Sequence, residues 1–298
     1  MGTPNYHILL VDDEPDVFEV TKMSLKGFKH NGRDIEWLFA TSGKEALEIM
    51  RSRQDIAVIF MDVIMETPTA GLDACRIIRQ EFKNDFVRIL LRTGQPGVAP
   101  ERKTIDDYDI DGYLPKAAMT SNRLYSSIRT ALRAWDQLIN IDRHQRILLE
   151  INNYALALRT FESIETTLDR ILKTAVAICP TPLGLLKLET FLEQGNPAVF
   201  QLSTTSEAKQ MFNKIGQYKD AEKMRLPTRI ENGYFIPISL HGELGSGWIF
   251  LSQTDPDDLV RKALVLVAGH AENALYAVIA RELLNRQRKE PFFNTMSM

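Results

Sequence analysis

Hydrophobic residues in the first 130 positions fall into short runs, separated by segments with helical spacing. Ile56 to Met61 is an unbroken apolar run of strand length, too short for a helix and not alternating. That pattern predicts a strand covered on both faces. His7 to Val11, EWLFAT (36–41), VRILLRTG (87–94) and DGYLPK (111–116) predict four more strands. Between them, PDVFEVTKMSLKGF (15–28), GKEALEIMRS (43–52), AGLDACRIIRQEF (70–82) and the more polar VAPERKTIDDY (98–108) have helical patterns. Strand and helix alternate, and right-handed crossovers then give five parallel strands with helices on both faces, a doubly wound α/β domain over residues 1–130.

From Thr120 to Phe161 there is neither Pro nor Gly, and Thr120 or Ser121 can cap a helix that starts there. Leu124, Ile128, Ala131, Trp135 and Leu138 keep the 4-3-4-3 spacing of a coiled-coil seam; Asp142 and Gln145 interrupt it, and Leu148, Ile151, Ala155 and Leu158 resume a 3-4-3 spacing. Two readings follow: a continuous helical linker over 131–162, or a last helix packed on its own domain followed by a separate helix. Residues 163–290 predict a second, α+β domain. Its first helix (164–178) is stopped by Cys179-Pro180-Thr181-Pro182. Strands at 183–191 and 197–203, a polar helical stretch at 206–218 and a hairpin over 233–253, turning at His241 to Gly245, come next. A long helix at 256–284, with Asp257 or Asp258 in its first turn, closes the domain, and 291–298 is a tail.

Composition narrows the function classes. The chain is 44% hydrophobic and 25% charged, which fits a globular protein of two domains. A net charge of -3 gives no electrostatic case for DNA binding, and no helix-turn-helix with a basic face is recognisable. Cys75 and Cys179 are far apart with no ligand spacing, so a reducing compartment is expected. No signal peptide and no apolar run near the ~20 residues of a membrane span stand out, so a cytoplasmic protein without membrane contact is expected.

The chemistry lies at the strand ends. Asp62 directly follows the buried run, where open α/β sheets place their ligand crevice. Alone, such an Asp can simply cap the next turn. Asp12, Asp13 and Glu14 follow the first strand, and carboxylates crowded together repel unless a cation joins them. An all-oxygen ligand set suits a hard ion, and Mg2+ fits best. The last two strands deliver a hydroxyl, Thr93 beside Gly94, and an ammonium, Lys116. Together these groups can accept a phosphoryl group on Asp62 by in-line displacement.

With those residues in order, the first ~130 positions resemble the response-regulator receiver family and its flavodoxin-like fold. The resemblance implies that Asp62 is phosphorylated, by a cognate histidine kinase or phosphotransfer protein. It implies Mg2+ held by Asp12, Asp13, Asp62 and the backbone carbonyl of Ile64, with Asp12 acting mainly through water. Thr93 and Tyr113 would form the switch, Tyr113 turning inward as Thr93 moves to the phosphate. Ile64 and Gln95 would flank the hydrolytic water, and an apolar Ile64 predicts slow self-dephosphorylation. Two departures stand out: METPTAGLDA replaces the family's short turn after Asp62, and Ala117 replaces the usual proline after Lys116. The triplet Glu45-Ala46-Leu47 spells the name of a cyclic-di-GMP phosphodiesterase family but lacks the metal ligands of such enzymes; His144 and His270 read as surface or core histidines.

The second domain resembles GAF-type sensors through its hairpin and terminal helix. The tandem resembles regulators in which receiver and GAF-like domains precede an HD-GYP phosphodiesterase, whose histidine signature is absent from this sequence, as is GGDEF. The expectation is a non-enzymatic two-component response regulator whose GAF-like module acts by protein contact or ligand sensing. Alternatives are the regulatory part of a cyclic-di-GMP phosphodiesterase system lacking its catalytic domain, and a small-molecule sensor. Two apolar stripes, Leu124 to Leu138 and Leu264, Val267, Ala271, Ala274 and Val278, predict a homodimer paired along parallel helices. The bland reading is that both pack within one chain.

Overall fold

A computed structural model describes residues 5–94, 101–118, 120–157, 163–191, 197–205, 212, 215, 226–230, 232–240 and 244–289. The chain divides into two compact units, Met1–Asp142 and Arg143–Met298.

In the first unit, strands β1 (Tyr6–Val11), β2 (Ile35–Ala40), β3 (Ile56–Asp62), β4 (Arg88–Thr93) and β5 (Gly112–Pro115) alternate with helices α1 (Pro15–Ser24), α2 (Gly43–Ser52), α3 (Ala70–Gln80) and α4 (Glu101–Tyr108). The strands pair in parallel in the order β2-β1-β3-β4-β5. All seven residues of β3 are buried, because side chains alternate between two covered faces. On one face Ile59, Met61, Ile89 and Leu91 pack with Ala46, Met50, Leu72, Cys75 and Ile78 of α2 and α3. On the other, Leu10, Phe60 and Leu90 pack with Leu25, Phe28, Leu124, Ile128 and Leu132. Glu45, from the triplet set aside above, closes the start of α2: its Oε2 accepts from Thr41 N at 2.7 Å while Ser42 Oγ accepts from Glu45 N at 3.2 Å.

Helix α5 (Ser121–Ala157) is a single element of 37 residues; residues 158–162 lie outside the described set. Its first part belongs to the first unit. Leu124, Ile128 and Ala131 are buried, and Trp135 meets the Tyr6 ring edge-on at 5.9 Å between centroids. The next residue, Asp136, collects the Tyr6 hydroxyl at 2.7 Å, Asn31 Nδ2 at 2.9 Å and His30 Nε2 at 3.3 Å. The first predicted dimer stripe is therefore covered by its own unit. Its 4-3-4-3 spacing marks an apolar face without saying what covers it.

In the second unit, residues 143–157 of α5, α6 (Ile164–Ile178) and α7 (Asp258–Lys289) accompany an antiparallel sheet of β6 (Gly184–Thr190), β7 (Ala198–Ser203), β8 (Thr228–Ile230), β9 (Gly233–Leu240) and β10 (Gly245–Ser252). The order is β7-β6-β10-β9-β8. Ser163 caps α6, its Oγ accepting from Thr166 N at 3.2 Å. The hairpin is β9 to β10, and 241–243 at its turn lie outside the described residues, as does most of the expected polar helix at 206–218. Gly245 opens β10 at φ +145°, with Glu189 O only 2.0 Å from where a Cβ would be. One sheet face packs Leu186, Leu188, Ile236 and Ile249 on α6 and α7; the other gathers Leu185, Phe235, Trp248 and Phe250 with Phe212 and Ile215.

The second stripe is covered too: Leu264, Val267 and Ala271 are fully buried and Ala274 and Val278 half-buried in this core. Against expectation, Asp258–Arg286 is long and apolar enough to cross a membrane by length and mean hydropathy (1.5), with 44% of its most apolar window buried inside the protein. That burial is what a core helix requires.

Candidate functional site

The carboxyl ends of β1 and β3 bring three acids together. One oxygen each from Asp12, Asp13 and Asp62 lies within 4.8 Å of the others. Asp12 and Asp62 are buried, and Asp13 is exposed. Asp12 Oδ1 accepts from Glu14 N at 3.1 Å, and Asp62 Oδ1 accepts from Val63 N at 2.8 Å, which fixes both carboxylates against the backbone.

Lys116, in the turn after β5, joins this cluster. Its Nζ donates to Asp62 Oδ2 at 2.7 Å and lies 3.2 Å from Asp12 Oδ2 and 3.5 Å from Glu14 Oε1. Thr93, at the end of β4, is buried, and a Cβ on the adjacent Gly94 would lie 3.9 Å from Lys116 Cδ. The four strand ends thus converge on one crevice. Tyr113 is already buried in this structure, paired in register with Leu91 and packed in the core beside α3. Ile64 is half-buried in the turn after Asp62, and Gln95 lies outside the described residues.

Electrostatics show what the cluster lacks. Burial pushes the Asp62 carboxyl above the ordinary carboxylate range; the Lys116 bond and charge pull it down only in part, and Asp12 repels it further. Burial also works against the Lys116 ammonium, but its bond to Asp62 and the charges of Asp62 and Asp12 outweigh that and hold its pKa above the usual lysine value. One ammonium shared among the acids leaves negative charge uncompensated. Asp12 Oδ2 is buried, and among the described residues it has the Lys116 ammonium at 3.2 Å as an ion-pair partner but accepts no well-formed hydrogen bond. An all-oxygen donor set whose three acids outnumber the one ammonium among them fits a hard divalent cation such as Mg2+.

The long segment after Asp62 folds back on the site. Gly71 N donates to Val63 O at 3.1 Å, and Glu66 reaches the start of α2, accepting from Gly43 N at 3.2 Å and Lys44 N at 3.4 Å. An acid there also suits the positive end of the helix.

The sequence model of the response regulator receiver domain family matches residues 8–129. Residues 8–129 form a response regulator receiver domain. The chain is also 36% identical over 219 residues to 3'3'-cGAMP-specific phosphodiesterase 2 of Vibrio cholerae, an alignment covering 74% of this chain and 40% of that protein. The match therefore spans well under half the length of that relative. Among solved structures, a receiver domain protein of Clostridium thermocellum is similar at 24% identity and TM-score 0.38, covering 45% of this chain and 98% of that one. The receiver of an HD domain-containing protein of Pseudomonas fluorescens is similar at 21% identity and TM-score 0.40, covering 47% and 96%.

Three residues near the receiver's acidic site were missed in the sequence. Glu14 was read only as part of an acidic run, and Glu66 gave no signal because its partners are 22 and 23 positions away. Arg92 did give one: it is a charge inside the otherwise apolar VRILLRTG, one step before Thr93.

Proposed function

We propose that this protein is a cytoplasmic two-component response regulator whose receiver takes a phosphoryl group on Asp62 from a histidine kinase or phosphotransfer protein. The observation that carries this reading is the Lys116 ammonium 2.7 Å from Asp62, beside the Asp12 and Asp13 carboxylates. Asp62 supplies the attacking oxygen; an O–P bond forms as the donor's N–P bond breaks, and the leaving nitrogen keeps the electron pair. Lys116 and Thr93 are placed to receive the phosphoryl oxygens. Mg2+, held by Asp12, Asp13, Asp62 and the Ile64 carbonyl, would supply the remaining positive charge. Acetyl phosphate with Mg2+ should label the wild type and not Asp62→Asn, and equal labelling of the two would refute the assignment. Ile64 cannot hydrogen-bond a hydrolytic water, so Ile64→Asn should shorten the phosphoprotein's lifetime several-fold.

The second unit is read as a GAF-like output module. Support comes from its order of elements: a capped helix, antiparallel strands, the β9–β10 hairpin and a long closing helix. Thr93 and Tyr113 would pass the receiver's state to α5. The homodimer reading now rests on exposed apolar residues of α5, Ile141, Leu148, Leu149 and Leu156, in place of the covered stripes. Light scattering on Leu148→Glu with Leu149→Glu tests it; unchanged mass against a dimeric wild type, or a monomeric wild type, would refute it.

A second reading is favoured by the identity to a cyclic-dinucleotide phosphodiesterase: the chain is the regulatory part of such a system, without the catalytic domain. Incubating the purified chain with 3'3'-cGAMP and with cyclic-di-GMP tests both readings, since hydrolysis of either would show a catalytic activity that neither predicts.

A further inference from the structure

Arg92 is a buried cation in the receiver that the proposed phosphorylation chemistry does not use. It is 5% exposed, and its Nη1 donates to Thr21 Oγ1 of α1 at 3.3 Å. Thr21 is itself buried, its hydroxyl donating to Val17 O at 2.7 Å. The Nε of Arg92 has no hydrogen-bond partner among the described residues. A guanidinium carries five donors, and burying one whose Nε–H is unmet among the described residues is costly unless opposite charge lies near.

The sheet register supplies that charge. Leu10 pairs with Phe60 and Phe60 with Leu90, all on the face that α1 covers. Two positions further along each strand come Asp12, Asp62 and Arg92, and Asp62 and Arg92 are themselves partners in the ladder. Side chains two apart share a face, so the two acids and the cation form one row across the strand ends. Burial pulls the Arg92 guanidinium pKa down, and the charges of Asp12, Asp62 and Glu14 act to restore it.

We propose that Arg92 is a second fixed cation of the acidic site, a positioning residue that neutralises part of the Asp12 and Asp62 charge from the α1 side and so weakens the site's grip on a divalent metal. The inference rests on the reading that the receiver binds Mg2+. Lys116 approaches the acids from the crevice, where a phosphoryl group and metal would sit; Arg92 is buried in the sheet layer on the α1 face. Its charge therefore persists whether the crevice is filled or empty. It lowers the repulsion between the acids when no metal is present, and it repels the metal when one enters.

The test is Mg2+ affinity measured by calorimetry on the full chain, with Arg92→Gln, Arg92→Lys and Thr21→Val. Removing the charge in Arg92→Gln should tighten Mg2+ binding on the order of tenfold. Arg92→Lys and Thr21→Val keep the charge and should stay within about twofold of the wild type. Equal or weaker binding by Arg92→Gln overturns the proposal, and so does an equal shift in Arg92→Gln and Arg92→Lys, which would mark a packing role. No Mg2+ binding by the wild type would refute the metal reading itself. If Arg92→Gln does not fold, the wild-type Arg92 Nε–H resonance decides. It should move on Mg2+ saturation, and a resonance that stays in place overturns the proposal.

Discussion

A Cβ built on Gly71 would lie 1.8 Å from the carbonyl oxygen of Asp62 and 3.1 Å from Val63 Cα. No side chain fits there, so the first turn of α3 packs backbone to backbone against the residue proposed to carry the phosphate. Gly71→Ala should cost about 1–3 kcal/mol through forced displacement of that turn. It should also displace the carboxylate from Lys116, so acetyl phosphate labelling should fall together with the denaturation midpoint.

Metal should stabilise the receiver. With Asp62 held above its usual carboxylate range by burial and by the charge of Asp12, a bound divalent ion offsets both. Mg2+ at about 100 times its Kd should add about 2.7 kcal/mol to unfolding, reversed by EDTA. Asp13→Asn removes one of the three acids and should reduce the gain, as read by denaturant melts with and without Mg2+.

Trp135 packs against the receiver's own core. Its ring meets Tyr6, and the Tyr6 hydroxyl bonds the neighbouring Asp136. Trp135→Glu should lower receiver stability by about 2–4 kcal/mol while light scattering reports an unchanged oligomeric state. A variant that melts like the wild type but changes mass would restore the stripe as an interface.

Asp257 makes the second unit sensitive to acid. Partial burial works against its charge, but the Val260 amide at 3.0 Å and the Arg143 guanidinium outweigh that and hold its carboxyl below the usual range. A carboxyl lowered by folding contributes stability that is complete above the unfolded value, ~3.9, and is lost as pH falls through the folded value. Asp257→Asn should therefore be less stable than the wild type at pH 7. The gap should close below about pH 4 in denaturant melts of the full chain.

Much of the receiver was legible because each proposed reacting group ends a strand whose apolar run marks it. Asp62 after Ile56 to Met61 is the clearest case, and the spacing to Thr93 and Lys116 followed from two more runs. Relations across the sheet were not legible. Nothing in VRILLRTG says that Arg92 stands beside Asp62, since register is set by tertiary pairing. The reach of Glu66 to the start of α2 depends on a loop whose path no periodicity encodes. Strand β8 has three residues, too few for a period to show. The stripes on α5 and α7 were correctly seen as apolar faces, but an apolar face is equally consistent with a partner chain and with the protein's own core. Candidate ligands of a metal could be named from the sequence; the closeness of the three acid oxygens, within 4.8 Å of one another, needed coordinates.

The knot around Asp136 bears on where this chain can be cut. The receiver family match ends at residue 129, yet seven positions later one carboxylate ties together the start of β1, through Tyr6, and the segment between α1 and β2, through His30 and Asn31. Arg33 lies flat on the same Tyr6 ring, 3.7 Å from its centroid. A fragment ending at 129 would leave the Tyr6 hydroxyl and the His30 ring without this acceptor and uncover the ring that Trp135 shields. The compact unit runs through Asp142, so a fragment meant to keep this clasp should extend there, about three and a half turns of helix beyond residue 129.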